Sequence, residues 1–416
     1  MKKLLRSKLL FWAVLVLMYS CGTSRKAAPP VKTVQGPVPV KTDTLSQVRD
    51  TLVKQEKKAD KLHITLLLPL KLEEHFQNDT APETNPLILH EALQALHFYE
   101  GALVARDTLK RENVEVQFRV VDAGFDSIST VTLINTLKAD QSDAIVSFLP
   151  SGFTQVLAGA TLRWKKPVYI FSASNTQWLE KYPLLHLLSP SNSTQIRQTA
   201  AFIAAKYPAS NFIAVYREQR KENDIAALFA GVIDSVSGKP GHCSLFNFKN
   251  GGLNGLKSKL VKGKRNLLMI PTSDESFLSS LLNKLSELKS EYTFMLCGLP
   301  SWETFDSVDP EQMKEFETII FNGTYVDVRS ADVLAFRKRF IAEYHTDPMP
   351  QAYMAFDAVR YIAGRHRKDQ KGGMQFRSLL NPGTEMVLHP VCEHCGSENK
   401  AVNFLKYGDF EFVLLK

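Results

Sequence analysis

His63-Ile64-Thr65-Leu66-Leu67-Leu68-Pro69 decides the fold. A short, unbroken apolar run closed by proline fits a strand buried on both faces, as parallel strands are. A helix-patterned stretch follows. From Leu87 to Leu109, apolar residues fall at Leu89, Ala92, Leu93, Leu96, Tyr99, Leu103 and Leu109, at helical spacing. The unit then recurs, with strands expected near 114–121, 143–148 and 167–171, each before helix-like sequence. A second series has strands near 211–216, 242–246, 266–270 and 292–297. Such alternation implies an α/β chain with parallel sheets covered by helices on both faces. Two series within about 355 residues imply two doubly wound lobes.

Upstream of this region the chain is built differently. Lys2, Lys3, Arg6 and Lys8 precede an apolar run from Leu9 to Tyr19 that is too short to span a bilayer comfortably, so residues 1–20 read as a cleaved secretion signal. The run ends in Leu17-Met18-Tyr19-Ser20-Cys21, which resembles the bacterial lipobox, in which small residues precede a cysteine that receives diacylglyceride. Tyr19 departs from the strictest pattern. The resemblance implies a lipoprotein held at a membrane through Cys21, since two or three acyl chains anchor stably where one does not. No aspartate follows Cys21 at the position that in many Gram-negative bacteria retains lipoproteins in the inner membrane, so the expected anchor is in the outer membrane, facing the periplasm. Residues 21–61 then read as the lipidated cysteine and a disordered tether: they hold Pro29, Pro30, Pro37 and Pro39 and no aromatic side chain to bury.

The tether also accounts for the charge. The chain carries 51 Lys and Arg against 43 Asp and Glu. Most of that excess sits in the signal, with four cations and no anion, and in the spacer, with nine cations against four anions. The rest is nearly neutral, which gives no basic face for nucleic acid.

Several segments carry a family resemblance. His97-Phe98-Tyr99-Glu100-Gly101-Ala102-Leu103-Val104-Ala105, Val120-Val121-Asp122-Ala123, Gly323-Thr324-Tyr325-Val326-Asp327, Phe336-Arg337-Lys338-Arg339-Phe340 and Pro350-Gln351-Ala352-Tyr353-Met354-Ala355-Phe356-Asp357-Ala358 stand in this order. Together they resemble type 1 periplasmic binding proteins, the leucine/isoleucine/valine-receptor group, over roughly residues 62–416. The resemblance implies two lobes joined by three crossings, near Leu188 to Ser193, Phe321 to Val326 and Thr384 to Asn399. Lobe one is then 62–190 plus 326–385, and lobe two 191–325 plus 386–416. A ligand is expected between them, outside the carboxyl ends of the strands, trapped by closure.

The strand ends nominate residues. After the third strand come Ser151 and Gly152, where a hydroxyl and backbone amides open a helix and suit a carboxylate. After the fourth come Ser172, Ser174 and Asn175. These positions resemble those through which amino-acid receptors grip a ligand's carboxylate; the alternative is that Ser and Asn cap helices there. In the second lobe, Asp274 and Trp302 are the candidates, with Glu303 the acid nearest the position where amino-acid receptors meet an ammonium group. Thr272-Ser273-Asp274-Glu275 equally reads as a helix N-cap, and Trp302 either covers a ligand or packs. Arg217 to Glu222 reads as a solvated charged loop.

His389, Cys392, His394 and Cys395 form a weak candidate metal motif, cramped for a tetrahedral site. In an oxidising periplasm the alternatives are a local disulfide or two free thiols. Cys243 and Cys297 fall in non-adjacent strands of the second lobe and are expected to be buried and unbonded. No Gly-x-Ser-x-Gly, His-Glu-x-x-His, P-loop or glycine-rich dinucleotide turn occurs, so neither enzyme chemistry nor a cofactor is expected. Two functions stand: a solute-binding lipoprotein that takes a small polar, amino-acid-like or peptide-fragment ligand, or an envelope interaction protein, such as a regulator of cell-wall synthesis, on the same fold.

Overall fold

The computed structural model describes residues 60–72, 90–124, 126–173, 176–368, 377–380 and 386–415. Cys21, Ser174 and Asn175 lie outside them, as do the signal and nearly all of the tether. The first series runs β1 (Asp60–Leu68), α1 (His90–Arg111), β2 (Val114–Asp122), α2 (Ser127–Thr136), β3 (Ala144–Ser147), α3 (Thr154–Trp164), β4 (Val168–Ile170), α4 (Gln177–Lys181) and β5 (Leu185–Leu187). The second runs α5 (Asn192–Lys206), β6 (Asn211–Tyr216), α6 (Arg220–Ser237), β7 (Cys243–Asn247), α7 (Phe248–Lys257), β8 (Arg265–Met269), α8 (Glu275–Ser286), β9 (Thr293–Gly298), α9 (Pro310–Glu315) and β10 (Ile319–Asn322). The chain ends with α10 (Ala331–Tyr344), α11 (Pro350–Lys368) and four strands, β11 (Leu388–Pro390), β12 (Ser397–Asn399), β13 (Asn403–Gly408) and β14 (Glu411–Leu414).

These strands build two seven-stranded sheets, ordered β11-β12-β5-β4-β3-β1-β2 and β14-β13-β10-β9-β8-β6-β7. β1 lies parallel between β2 and β3, and β6 parallel between β7 and β8. The apolar run of β1 explains its place. Leu62, Ile64, Leu66 and Leu68 pack on one side with Phe98, Ala102, Ala105 and Leu109 of α1, whereas Leu67 packs on the other with Ile145 and with Leu157 of α3. Burial on both faces is what a central parallel strand requires. In the second sheet, Ile213 and Val215 face α8, and Phe212 and Ala214 face α5 and α6. Gly101 allows α1 to meet α11: a Cβ there would stand 2.1 Å from the Ala352 carbonyl oxygen. Among the described residues no helix is long and apolar enough to cross a membrane.

The last strands correct the expected boundary. β12 pairs parallel with β5 and antiparallel with β11, so residues 388–399 complete the first sheet rather than joining the second lobe at 386. Of these last strands only β13 and β14 join the second sheet, β13 antiparallel to β10 and β14 antiparallel to β13 at the edge. The third crossing is therefore the short link from Asn399 to Asn403. Strands of three or four residues such as β5, β10 and β12 carry too little pattern to register as strands in sequence.

Cys392 and Cys395 are joined as a disulfide in the turn between β11 and β12, their Cα atoms 5.1 Å apart. This corrects the metal reading for His389, Cys392, His394 and Cys395, because sulfurs bonded to each other are not thiolate ligands. Among the described residues no group of three or more His, Cys, Asp or Glu is placed to hold a metal. Cys243 and Cys297 are buried and unbonded, on strands separated by β6 and β8.

Candidate functional site

The rim of the first lobe forms where β3 and β4 end. Ser151 opens a three-residue 3-10 turn that leads into α3, and no side chain caps α3. The structure brings Ser151 and Ser172 together through Thr154, whose role the sequence gave no sign of. Its buried hydroxyl lies 2.6 Å from the Ser151 carbonyl oxygen and 3.5 Å from that of Ser172. Gly152 is exposed, with open space where a Cβ would stand, and Ser172 is exposed as well. Phe148 and Phe171, at the ends of the same two strands, are half-buried against Phe98 on the α1 side of the sheet, at centroid distances of 4.8 and 5.2 Å. The rim thus offers hydroxyls and an uncapped helix start, which favour a carboxylate. Asp122, at the end of β2, fixes the neighbouring loop by accepting from the amides of Leu70, Lys71 and Leu72 at 2.8–3.0 Å.

The second-lobe rim is organised around Arg217, immediately after β6. Its guanidinium pairs with Glu222, donates to Asp274 Oδ2 at 2.7 Å and to Thr272 Oγ1 at 2.9 Å, and lies 4.2 Å from the centre of the Phe277 ring. The Glu222 hydrogen bonds, above all, hold the guanidinium in its charged form, and Arg217 in turn lowers the Asp274 carboxyl from its ordinary value. This corrects the solvated-loop reading: the Arg217 side chain is 16% exposed and that of Glu222 6%.

Asp274 and Trp302 are therefore already engaged. The Asp274 carboxylate caps α8 through the Phe277 amide at 3.0 Å while holding Arg217. Trp302 is 2% exposed, donates its indole N–H to the Thr272 carbonyl at 2.8 Å, and packs so closely on Gly298 that a Cβ there would lie 2.2 Å from the indole. It is a core residue that closes the ends of β8 and β9. Glu303, one residue further, keeps a raised carboxyl pKa through desolvation, opposed by a hydrogen bond from Asn322. That contact sets an acid at the end of β10, where the second crossing starts.

The crossings are bound to one another. The Ser191 amide donates to Glu398 Oε1 at 2.6 Å, and Asn399 Nδ2 donates to the Leu188 carbonyl at 2.9 Å, which join the third crossing to the first. Gln195 accepts from the Gly323 amide at 3.2 Å and donates to the Pro190 carbonyl at 3.1 Å, which joins the first to the second. A Cβ on Gly323 would stand 2.3 Å from Pro190 Cγ. The three connections between the lobes thus run side by side, hydrogen-bonded to one another, in the arrangement that hinges take.

No protein-family model and no curated protein matches the chain. Solved structures do. A putative branched-chain amino acid ABC transporter from Rhodospirillum rubrum is 12% identical with a TM-score of 0.61, over 86% of this chain and 100% of that one. An ABC transporter substrate-binding protein from Desulfitobacterium hafniense, in complex with Leu, is 14% identical with a TM-score of 0.54, over 86% and 100%. The C-domain of LpoA from Haemophilus influenzae, a regulator of PBP1A, is 13% identical with a TM-score of 0.56, over 85% and 100%. At such identities the likeness speaks to architecture, and the chain has the fold that these binding proteins and this regulator share, the two-lobed type 1 periplasmic-binding-protein fold.

Proposed function

We propose that this protein is a membrane-anchored solute-binding lipoprotein, without enzymatic activity, that closes its lobes on a small polar ligand. The observation that carries the reading is the hydrogen-bonded, three-stranded hinge, placed beside strand ends that offer hydroxyls on one lobe and an acid on the other. Ser151, Gly152 and Ser172, with Ser174 and Asn175, receive the ligand's carboxylate. Glu303 takes the place first considered for Asp274, because the Asp274 carboxylate is already bound to Arg217 and to the Phe277 amide. The lipid on Cys21 and the tether of residues 21–61 hold the domain at the periplasmic side of the envelope, with the outer membrane favoured by the residues that follow Cys21.

A second reading has its own support. Asp274 and Trp302 are engaged within the second lobe, and the LpoA C-domain, a regulator, has this fold. On that reading the lobes present a surface to an envelope protein such as a cell-wall synthase. A thermal-shift screen of the purified protein against amino acids, short peptides and muropeptides separates the two. A hit that Ser151→Ala, Ser172→Ala and Glu303→Gln each weaken about tenfold supports the cleft. Silence across the panel, with an envelope protein recovered by crosslinking in cells, removes it in favour of the second reading. Release of the protein from membranes by Cys21→Ala tests the anchor.

A further inference from the structure

A second concave site lies in the helical layer of the first lobe, between α1, α10 and α11. Thr108, on its wall, sits in the last turn of α1, one short loop before β2 begins, and so at the edge of the sheet opposite the carboxyl-end rim. The groove encloses about 430 Å³, and its lining includes three arginines, Arg339, Arg360 and Arg377, against one acid, Asp332. That volume suits a small organic ligand.

The arginines are not equivalent. Arg360, 11% exposed, donates to Glu112 at 3.1 Å, so its charge is matched within the fold. Arg339 is half-buried and donates to the Thr108 hydroxyl at 2.6 Å, a neutral partner, with no ion pair to a described carboxylate. Burial, and then repulsion from Arg111, lower its pKa, against the attraction of Asp107 and Glu343 outside the groove lining. Arg377 is exposed and is brought to the groove by a buried clamp. Asp357 of α11 accepts from the Ser378 hydroxyl at 2.6 Å and from the amides of Leu379 and Leu380 at 2.9 and 3.1 Å. The same clamp sets Leu379 beside Phe336 and Phe356, which gives the groove an apolar wall.

We propose that this groove binds a small organic anion, a carboxylate or phosphate on an apolar body, gripped by Arg339 and Arg377 and covered by Phe336, Phe356 and Leu379. Guanidinium forks match both kinds of oxyanion, and the apolar wall selects against bare inorganic ions. The site is independent of the interlobe cleft.

The test is calorimetric titration of the full-length protein with phenyl phosphate, hexanoate, phenol and inorganic phosphate. Phenyl phosphate or hexanoate should bind, whichever is tighter naming the oxyanion, while phenol and inorganic phosphate bind at least about tenfold more weakly. Arg339→Ala and Arg377→Ala should each weaken binding about tenfold or more. Arg337→Ala, whose side chain pairs with Asp347 on the exposed face, and Ser151→Ala should leave it unchanged. Arg377 is exposed, so its variant reads the site even where Arg339→Ala disturbs folding. Absence of binding by both anionic probes, equal binding of inorganic phosphate, or unchanged affinity in Arg377→Ala overturns the proposal.

Discussion

Glu398 and Ser191 stand 207 positions apart in sequence, yet the Ser191 amide donates to the Glu398 carboxylate at 2.6 Å. The carboxylate is 4% exposed, so its partner is the hinge backbone itself. Removing it strands a part-buried amide beside the first crossing. Glu398→Ala is expected to cost ~1–3 kcal/mol of stability, measured by urea unfolding. An unchanged midpoint would show that the contact does not support the hinge.

Gly101 predicts a second loss, in the layer that carries the helices of the first lobe. Gly101→Ala drives a methyl group into the Ala352 backbone, and backbone does not yield as a side chain does. A loss of about 1–3 kcal/mol is expected. Gly152→Ala, with open space around the new methyl, serves as the control and should stay within ~0.5 kcal/mol of the parent. Equal thermal midpoints for the two variants would contradict the close helix contact.

A pH dependence follows from the same helix. Burial pushes the Glu100 carboxyl up to about 7 and lowers the His97 imidazole, whose Nδ1 lies 3.7 Å from Glu100. Phe340 stacks on His97, and the Tyr344 hydroxyl donates to the Glu100 carbonyl. Because the folded pKa of Glu100 is raised, its contribution is full below its ordinary 4.5 and is lost as pH rises through about 7. His97 has the opposite sign: its contribution is present above its ordinary 6.5 and lost as pH falls. Glu100→Gln should therefore gain on the order of 1 kcal/mol at pH 8, allowing for water that reaches the pair, and nothing at pH 4. Stability curves at the two pH values decide it; a gain at pH 4 alone would reverse the sign.

The disulfide closes a very short loop. In the chain-entropy account a loop of this size stabilises by only ~2 kcal/mol, so Cys392→Ser with Cys395→Ser should lower stability by about that much and leave the protein folded. Zinc added to the oxidised protein should leave its thermal midpoint unchanged. A zinc-dependent rise would restore the metal reading.

Much of the architecture was legible because it is written locally. The run from His63 to Leu68 could be read as a central strand from its lack of alternation, and both its faces are buried. The Ser151 turn was legible because helix starts have their own chemistry. What sequence did not carry is contact between distant positions. Arg217 and Glu222 look like solvent-facing charges in a loop until Asp274 and Thr272, 57 and 55 residues on, come within hydrogen-bond distance. Trp302 gave no sign of whether it would cover a ligand, and the Gly298 that receives its indole decides that it packs. Residues 388–399 misled for the same reason, since their membership depends on an edge of β5 only three residues long.

The order in which strands are laid down has a consequence for how the chain comes into being. β12 covers the edge of β5 and β13 covers the edge of β10, so the segment that finishes one sheet runs directly into the segment that finishes the other. A chain cut short before residue 388 has open sheet edges on both lobes at once, an invitation to mispairing. One continuous segment, residues 388–414, thus supplies the closing strands of both sheets.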